Sequence, residues 1–437
     1  MFATLKNAFK IKEIRQRLLF TFAMLVVIRI GSQLPVPGVD RSFFANWFAQ
    51  QTSGAFSFFD AITGGSFLNM SILALNINPY ITSSIIMQLL TIAIPQLEEM
   101  QREGEEGRKK IVTITRYVTV ALAIIQSTAM AIGFGRQGYL VEYNAINVIT
   151  CIVALTAGSA FLMWVGEQIT EHGVGNGISV VLVINIISRL PMDLSSLYEL
   201  FVKGKAPATA ILAALIILAI ILAMVILVII LNGGERRIPV QYAKKVQGRN
   251  MVGGNTSHIP LKVNTSGVIP IIFAQSIFQF PIIISSFVGY NGAGVWGEIL
   301  KYLNSNHWFN TSEWKYSIGL LIYVVLIVFF AYFYTSITFN PLMVADNLKR
   351  GGGFIPGIRP GKPTSDYLSK VLSYIVFIGA VGLIIVSVLP YFFSGIFGAS
   401  VSTSGTSLII IVSVVLETVK QVESMMLVRN YKGFLEN

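Results

Sequence analysis

Long, uninterrupted apolar blocks run through this chain, and they restrict its possible folds more than any other feature. Ten can be marked, at residues 18–34, 73–94, 111–134, 146–166, 177–190, 207–231, 266–289, 316–338, 371–393 and 405–427. A bilayer core is spanned by about 20 apolar residues in a helix, and it holds no water to satisfy an open backbone. The blocks therefore predict an all-α polytopic membrane protein with about ten transmembrane helices. Composition agrees: 54% of the 437 residues are hydrophobic and only 12% are charged, against about 25% charged in a soluble domain. One Cys (Cys151) and three His (His172, His258, His307) exclude a disulfide framework and argue against a Cys/His zinc cluster. The first block follows basic residues as a signal sequence would. No small-x-small cleavage pattern comes after it and another span does, so a retained helix is expected. Arg29 lies near that helix's predicted outer end, where a long side chain can snorkel to the interface.

The net charge of +11 is placed asymmetrically. Alternating the spans from a cytoplasmic N-terminus puts twenty-three of the 32 Lys and Arg on the cytoplasmic side. They lie in the first tail, around the 95–116 loop, in the 232–264 and 339–370 loops, and in the last tail. Cationic loops resist translocation, so both termini are expected in the cytoplasm. Two of these loops, 232–264 and 339–370, are long, basic and rich in Gly or Pro; loops of that length are usually functional or disordered. Residues 35–72 contain the patch AFSFFDAITGGSFL, with a Gly pair and Asp60. It is too short to cross, and suits a half-inserted element buried inside protein.

Groups that would carry chemistry are scarce. The first nine spans as drawn contain no Asp or Glu, which an ion-coupled transporter needs in mid-membrane. Glu417, Lys420 and Glu423 read as the interfacial end of the tenth. His172 has no second His in HExxH spacing, and neither a P-loop nor G-x-S-x-G occurs. No catalytic residue, metal site or cofactor is predicted, so any energy source must be a partner. Polar uncharged residues do lie inside spans: Asn78, Ser83, Ser84, Gln88, Gln126, Gln275 and Gln279. They are either interhelical glue or a seam that can part and be wetted, and composition by itself favours glue. Ile77 and Ile81, like Ile178 and Leu182, are four apart on one helical face. Such pairs are plain packing or part of an apolar ring that closes a pore by dewetting. Composition again favours the first.

Seven stretches in order settle those choices as far as sequence can. They are RIGSQLPVPGVD (29–40), NPYITSSIIMQLL (78–90), EGEEGRKK (103–110), MWVGEQITEHGVGNGIS (163–179), HIPLKVNTSGVIP (258–270), ADNLKRGGGFIPGIRPG (345–361) and GTSLIII (405–411). On these the chain resembles the bacterial SecY family, channel-forming subunits of the Sec protein translocase. The likeness runs from about Arg17 to the tenth span. It implies a protein-conducting channel that passes unfolded preproteins across, and releases transmembrane segments into, the cytoplasmic membrane. The implied architecture has two pseudo-symmetric halves around a central pore: residues 1–190 with helices 1–5, and 207–427 with helices 6–10.

The resemblance also places roles. A plug near 56–69 would include Phe58, Phe59, Asp60, Ile62, Gly64 and Gly65. A pore ring would comprise Ile77, Ile81, Ile178, Leu182, Ile272 and Ile410, the last of these alternating with Ile411. Leu182 stands where Ile is commoner, which keeps bulk and apolarity. A lateral gate between helices 2 and 7 would use Ser84, Gln88, Gln126 and Gln275. Arg236, Arg237, Lys244, Lys245, Arg249 and Arg359 would bind the motor ATPase SecA and the ribosome. The other implied partners are SecE and SecG subunits, signal-bearing preproteins and membrane lipids. Two further readings stay open from the residues: a secondary transporter of a small solute, and an insertion scaffold without its own pore. An intramembrane protease is weaker, for want of catalytic residues.

Overall fold

The computed structural model describes residues 9–39, 60, 63–136, 138, 140–203, 207–242, 245–247, 250–252, 256–288, 294–309, 314–397 and 405–435. In chain order its longer elements are α1 (Lys12–Gly31), α2 (Asn78–Ala93), α3 (Pro95–Arg102), α4 (Glu105–Arg136), α5 (Ala145–His172), α6 (Gly177–Phe201) and α7 (Pro207–Gly233). There follow β1 (Glu235–Tyr242), β2 (Lys245–Gln247), β3 (Asn250–Val252), β4 (Thr256–Lys262), α8 (Ile269–Val288) and α9 (Val295–Leu303). The chain continues as α10 (Ile318–Thr338), α11 (Pro341–Arg350), β5 (Gly353–Phe354), α12 (Lys362–Phe397) and α13 (Gly405–Leu435). Among the described residues, six helices are long and apolar enough to cross a membrane: they lie in α4, α5, α6, α7, α10 and α12. The pair α2–α3, bent by 105°, makes up to seven. The remaining predicted spans fall on α1, α8 and α13.

The helix limits follow from local chemistry. Asn78-Pro79 opens α2, with proline in the first turn, where a missing N–H is harmless. Pro95 ends it by forcing Ile94 into extended backbone, with φ −110° and ψ 112°. Glu105 and Glu106 open α4 and Arg136 closes it, each complementing the helix dipole. The α7 sequence is apolar on every face, and Ile211, Leu215, Leu218 and Ile230 stand exposed. In a multi-pass protein such a helix faces lipid.

The chain divides into two compact units. The first comprises Met1–Leu197, Phe280–Asn304 and Val414–Asn437. Its core joins Phe67, Met70 and Leu75 to Met130, Phe134, Cys151 and Leu155. Small polar residues connect its helices. Ser83 Oγ on α2 donates to the Thr115 carbonyl at 3.2 Å and lies 2.5 Å from Thr119 Oγ1, both on α4. Ser127 Oγ on α4 lies 3.0 Å from Thr156 Oγ1 on α5. For Ser83 the glue reading holds. The α5–α6 turn is clamped from both ends of the chain. The Val174 N–H donates to Thr21 Oγ1 of α1 at 3.0 Å, and the Gly175 N–H donates to Gln421 Oε1 of α13 at 2.8 Å.

The second unit comprises Tyr198–Gln279 and Ser305–Ser413. The two long basic loops meet here as an antiparallel sheet in the order β4-β1-β5. The register pairs Ile238 with Ile259, and Gln241 with Phe354. Along β1, Ile238 and Val240 are buried while Arg236, Arg237, Pro239 and Gln241 are exposed, the two-residue alternation of a strand with one covered face. That face packs with Leu261, Ile355, Leu368, Val371 and Ile375. Elsewhere in the unit Phe278, Trp308, Tyr323 and Tyr391 form an edge-to-face aromatic cluster.

Candidate functional site: a buried segment, an apolar set and a basic sheet

Of the patch read as half-inserted, the described residues 60 and 63–67 are buried within the first unit, and its geometry begins with Asp60. This carboxylate is fully buried, and a buried charge must be paired and hydrogen-bonded to persist. Its Oδ1 accepts the Leu68 N–H at 2.8 Å, and Oδ2 forms an ion pair with the Arg189 guanidinium on α6. The Asp60 carbonyl accepts Thr63 Oγ1 and the Gly65 N–H, each at 3.1 Å. Gly64 and Gly65 turn the chain at φ +67° and +81°, a region that glycine enters freely. A Cβ on Gly64 would sit 2.7 Å from the Asn185 carbonyl oxygen, so the segment meets α6 backbone to backbone. The Gly64 carbonyl accepts from Arg29 Nη1 on α1 and from Ser188 Oγ on α6, both at 3.3 Å. Downstream, Asn76 adopts φ +52°. Its carbonyl takes Ser159 Oγ at 3.0 Å, and its Oδ1 takes Asn185 Nδ2 at 3.1 Å. The segment is thus fixed at both ends to neighbouring helices. Phe58, Phe59 and Ile62 lie outside the described residues.

Sequence reasoning missed two participants. Arg29 does not simply snorkel, because it holds a carbonyl of the buried segment, and Arg189 is more than one further outward charge. The available signal was Asp60 itself: a carboxylate set among Phe, Ile and Gly requires a cation from elsewhere.

Of the apolar set, Ile77, Ile81, Ile178 and Leu182 belong to the first unit, and Ile272 and Ile410 to the second. Ile77, Leu182 and Ile410 are buried; Ile81, Ile178 and Ile272 are half-buried. Ile77 immediately precedes α2 and Ile81 lies one turn in, its N–H donating to the Ile77 carbonyl at 3.0 Å. Among the polar residues, Gln88 Nε2 donates to Ser84 Oγ at 3.4 Å within α2, and Gln126 is half-buried on α4. Gln275 is buried on α8, with Nε2 donating to the Tyr391 hydroxyl of α12 at 2.8 Å.

Of the basic residues, two stand on the three-stranded sheet, one follows its short edge strand and one is on the separate β2–β3 pair. Arg236 and Arg237 are exposed on β1, where Glu235 accepts from Arg237 Nε at 2.7 Å. Lys245 is on β2, while Lys244 and Arg249 lie outside the described residues. Arg359 is exposed in the turn after β5, between Gly357 and Gly361 at φ +82° and +101°. Thr364 Oγ1 donates to its carbonyl at 2.8 Å. Pairing of β1 with β5 joins the two loops, which are over a hundred residues apart in sequence.

Residues 71–419 match the family described as SecY. Relatives described as protein translocase subunit SecY share the whole length. The Halalkalibacterium halodurans protein is 42% identical over 448 residues, covering all of both chains. The Bacillus subtilis protein is 42% identical over 452, again end to end. The Corynebacterium glutamicum protein is 40% identical over 98% of this chain and 99% of its own. Solved structures share the fold. A protein-conducting channel superposes with a TM-score of 0.60 at 18% identity, covering 94% of this chain and 92% of that one. The Ssh1 complex from yeast, bound to the 80S ribosome, gives 0.61 at 15% identity, covering 95% and 89%.

Proposed function

The chain belongs to the SecY family, and from that premise we propose that it is the protein-conducting channel of a cytoplasmic membrane. In this reading it passes unfolded preproteins across and releases apolar segments sideways into lipid, with both termini in the cytoplasm. The observation that supports it best is end-to-end identity of about 42% to protein translocase subunits. A transported chain needs a wet path, yet a resting channel must hold back ions. Ile77, Ile81, Ile178, Leu182, Ile272 and Ile410 can close such a path because apolar side chains offer an ion no ligand and dewet a narrow constriction. The buried segment around Asp60, Gly64 and Gly65 serves as a plug. Ser84, Gln88, Gln126 and Gln275 line the seam through which a signal sequence leaves, each buried CH₂ gaining about 0.8 kcal/mol.

No side chain in the proposed site carries an energy source, so partners supply it. The sheet bearing Arg236, Arg237 and Arg359 docks SecA or the ribosome, and the exposed apolar helix faces take lipid and the small subunits SecE and SecG. The deciding experiment is transport in liposomes holding the chain with SecE, given SecA, ATP and a signal-bearing preprotein. Protease-protected product that requires ATP and SecA is expected. No protected product from a folded complex, beside an active control, would overturn the reading.

A further inference from the structure

We propose that Arg189 and Arg29 are positioning residues that form a socket for the plug, with the buried Asp60–Arg189 ion pair locking its register. This inference rests on the reading of the segment around Asp60 as the plug. The two cations reach it from different helices, α1 and α6, and address different atoms. Arg189 takes the Asp60 carboxylate, while Arg29 and Ser188 take the Gly64 carbonyl. The same carboxylate also accepts the Leu68 N–H. One group therefore closes the turn from 60 to 68 and attaches it to α6. A shift of the segment along α6 would break both functions together.

The pair is also set where water is scarce. Asp60 is fully buried and the Arg189 side chain is 11% exposed. Separating two such charges inside protein leaves each unpaired in a low dielectric, which costs far more than rehydrating both. The lock therefore has two acceptable states, fully seated or fully withdrawn into water, and partial withdrawal is disfavoured. An apolar plug alone would slide gradually, since contact area is lost in small increments. The glycine approach fits this role, because a Cβ on Gly64 would hold the segment off the α6 backbone.

The test uses the chain purified with its small partner subunits in planar bilayers, with resting ion conductance as the readout. Asp60→Asn and Arg189→Gln should each raise it by about tenfold or more, since each strands one buried partner. The double variant Asp60→Leu with Arg189→Leu should stay at least about threefold leakier than the parent, because an apolar segment carries no register lock. Both single variants should still insert and co-purify with the small partner subunits, which a misfolded chain would not. Deletion of residues 60–69 supplies the control on the plug reading. If the deletion leaks and the single variants stay tight, the lock is overturned while the plug stands. If the deletion does not leak, the plug reading fails and the lock with it. A double variant as tight as the parent also overturns the lock. Should a single variant not assemble, Ser66→Cys in a Cys151→Ala background gives a second readout in native membranes. Ser66 is 2% exposed, and Arg189→Lys should keep its labelling by an impermeant maleimide slow. Labelling under Arg189→Lys as fast as that of the same cysteine in the denatured protein would overturn the proposal.

Discussion

Gly64 combines a left-handed backbone with a neighbour that leaves no room for a side chain, the Asn185 main chain. Gly64→Ala therefore meets two penalties, and a cost of about 1–3 kcal/mol is expected from the backbone alone. Thermal unfolding in detergent, followed by a thiol probe reacting with the buried Cys151, would show an earlier transition; an unchanged midpoint would count against the seating described. Arg359 presents the opposite case. Its backbone is held by Thr364 and two left-handed glycines, while its side chain is exposed. Reversing its charge disturbs no packing, so Arg359→Glu is expected to abolish SecA-driven transport while the protein still inserts and folds. Normal transport by that variant would remove Arg359 from the docking role.

The element that most depends on long-range pairing is the three-stranded sheet. β5 is two residues long and has no independent stability; it exists because β1 and α11 flank it. At Gly353 a Cβ would stand 2.9 Å from the Tyr242 ring, at the end of the β1–β5 ladder. Gly353→Val should displace Tyr242 and part the two strands. The expected outcome is SecA binding to vesicles weakened several-fold, with the helices unaffected by circular dichroism. Unchanged binding would mean that the two loops act separately. Both loops were expected to be basic and functional. That they form one sheet was not legible, because short strands beside Gly and Pro carry little hydrophobic period.

At the scale of the whole molecule, the proposed function joins residues that are far apart in the chain. The apolar set draws four members from the first unit and two from the second. Replacing Ile77, Ile81 and Ile178 together with Gly removes bulk and apolarity from the proposed ring and should raise resting conductance in planar bilayers well above the parent. Conductance that stays at the parent level would show that these positions pack helices without forming a barrier. The polar residues divided in a way that composition could not foresee. Ser83 connects α2 to α4, Gln88 turns back onto Ser84 in its own helix, and Gln275 is held by Tyr391.

The sequence by itself determined the membrane class, the approximate positions of the helices and the family. Those properties are local: each helix in a bilayer satisfies its own backbone, so hydropathy and charge read along the chain are enough. Asp60, Gly64 and Gly65 could be picked out as a special segment for the same reason, as polar and turn residues interrupting an apolar run. Only the tertiary structure decided their partners. Arg189 lies 129 residues from Asp60, and Tyr391 lies 116 from Gln275. A buried polar group requires a partner without specifying which. That choice is made by packing, where helix faces distant in sequence come together and leave one arrangement with the charges paired.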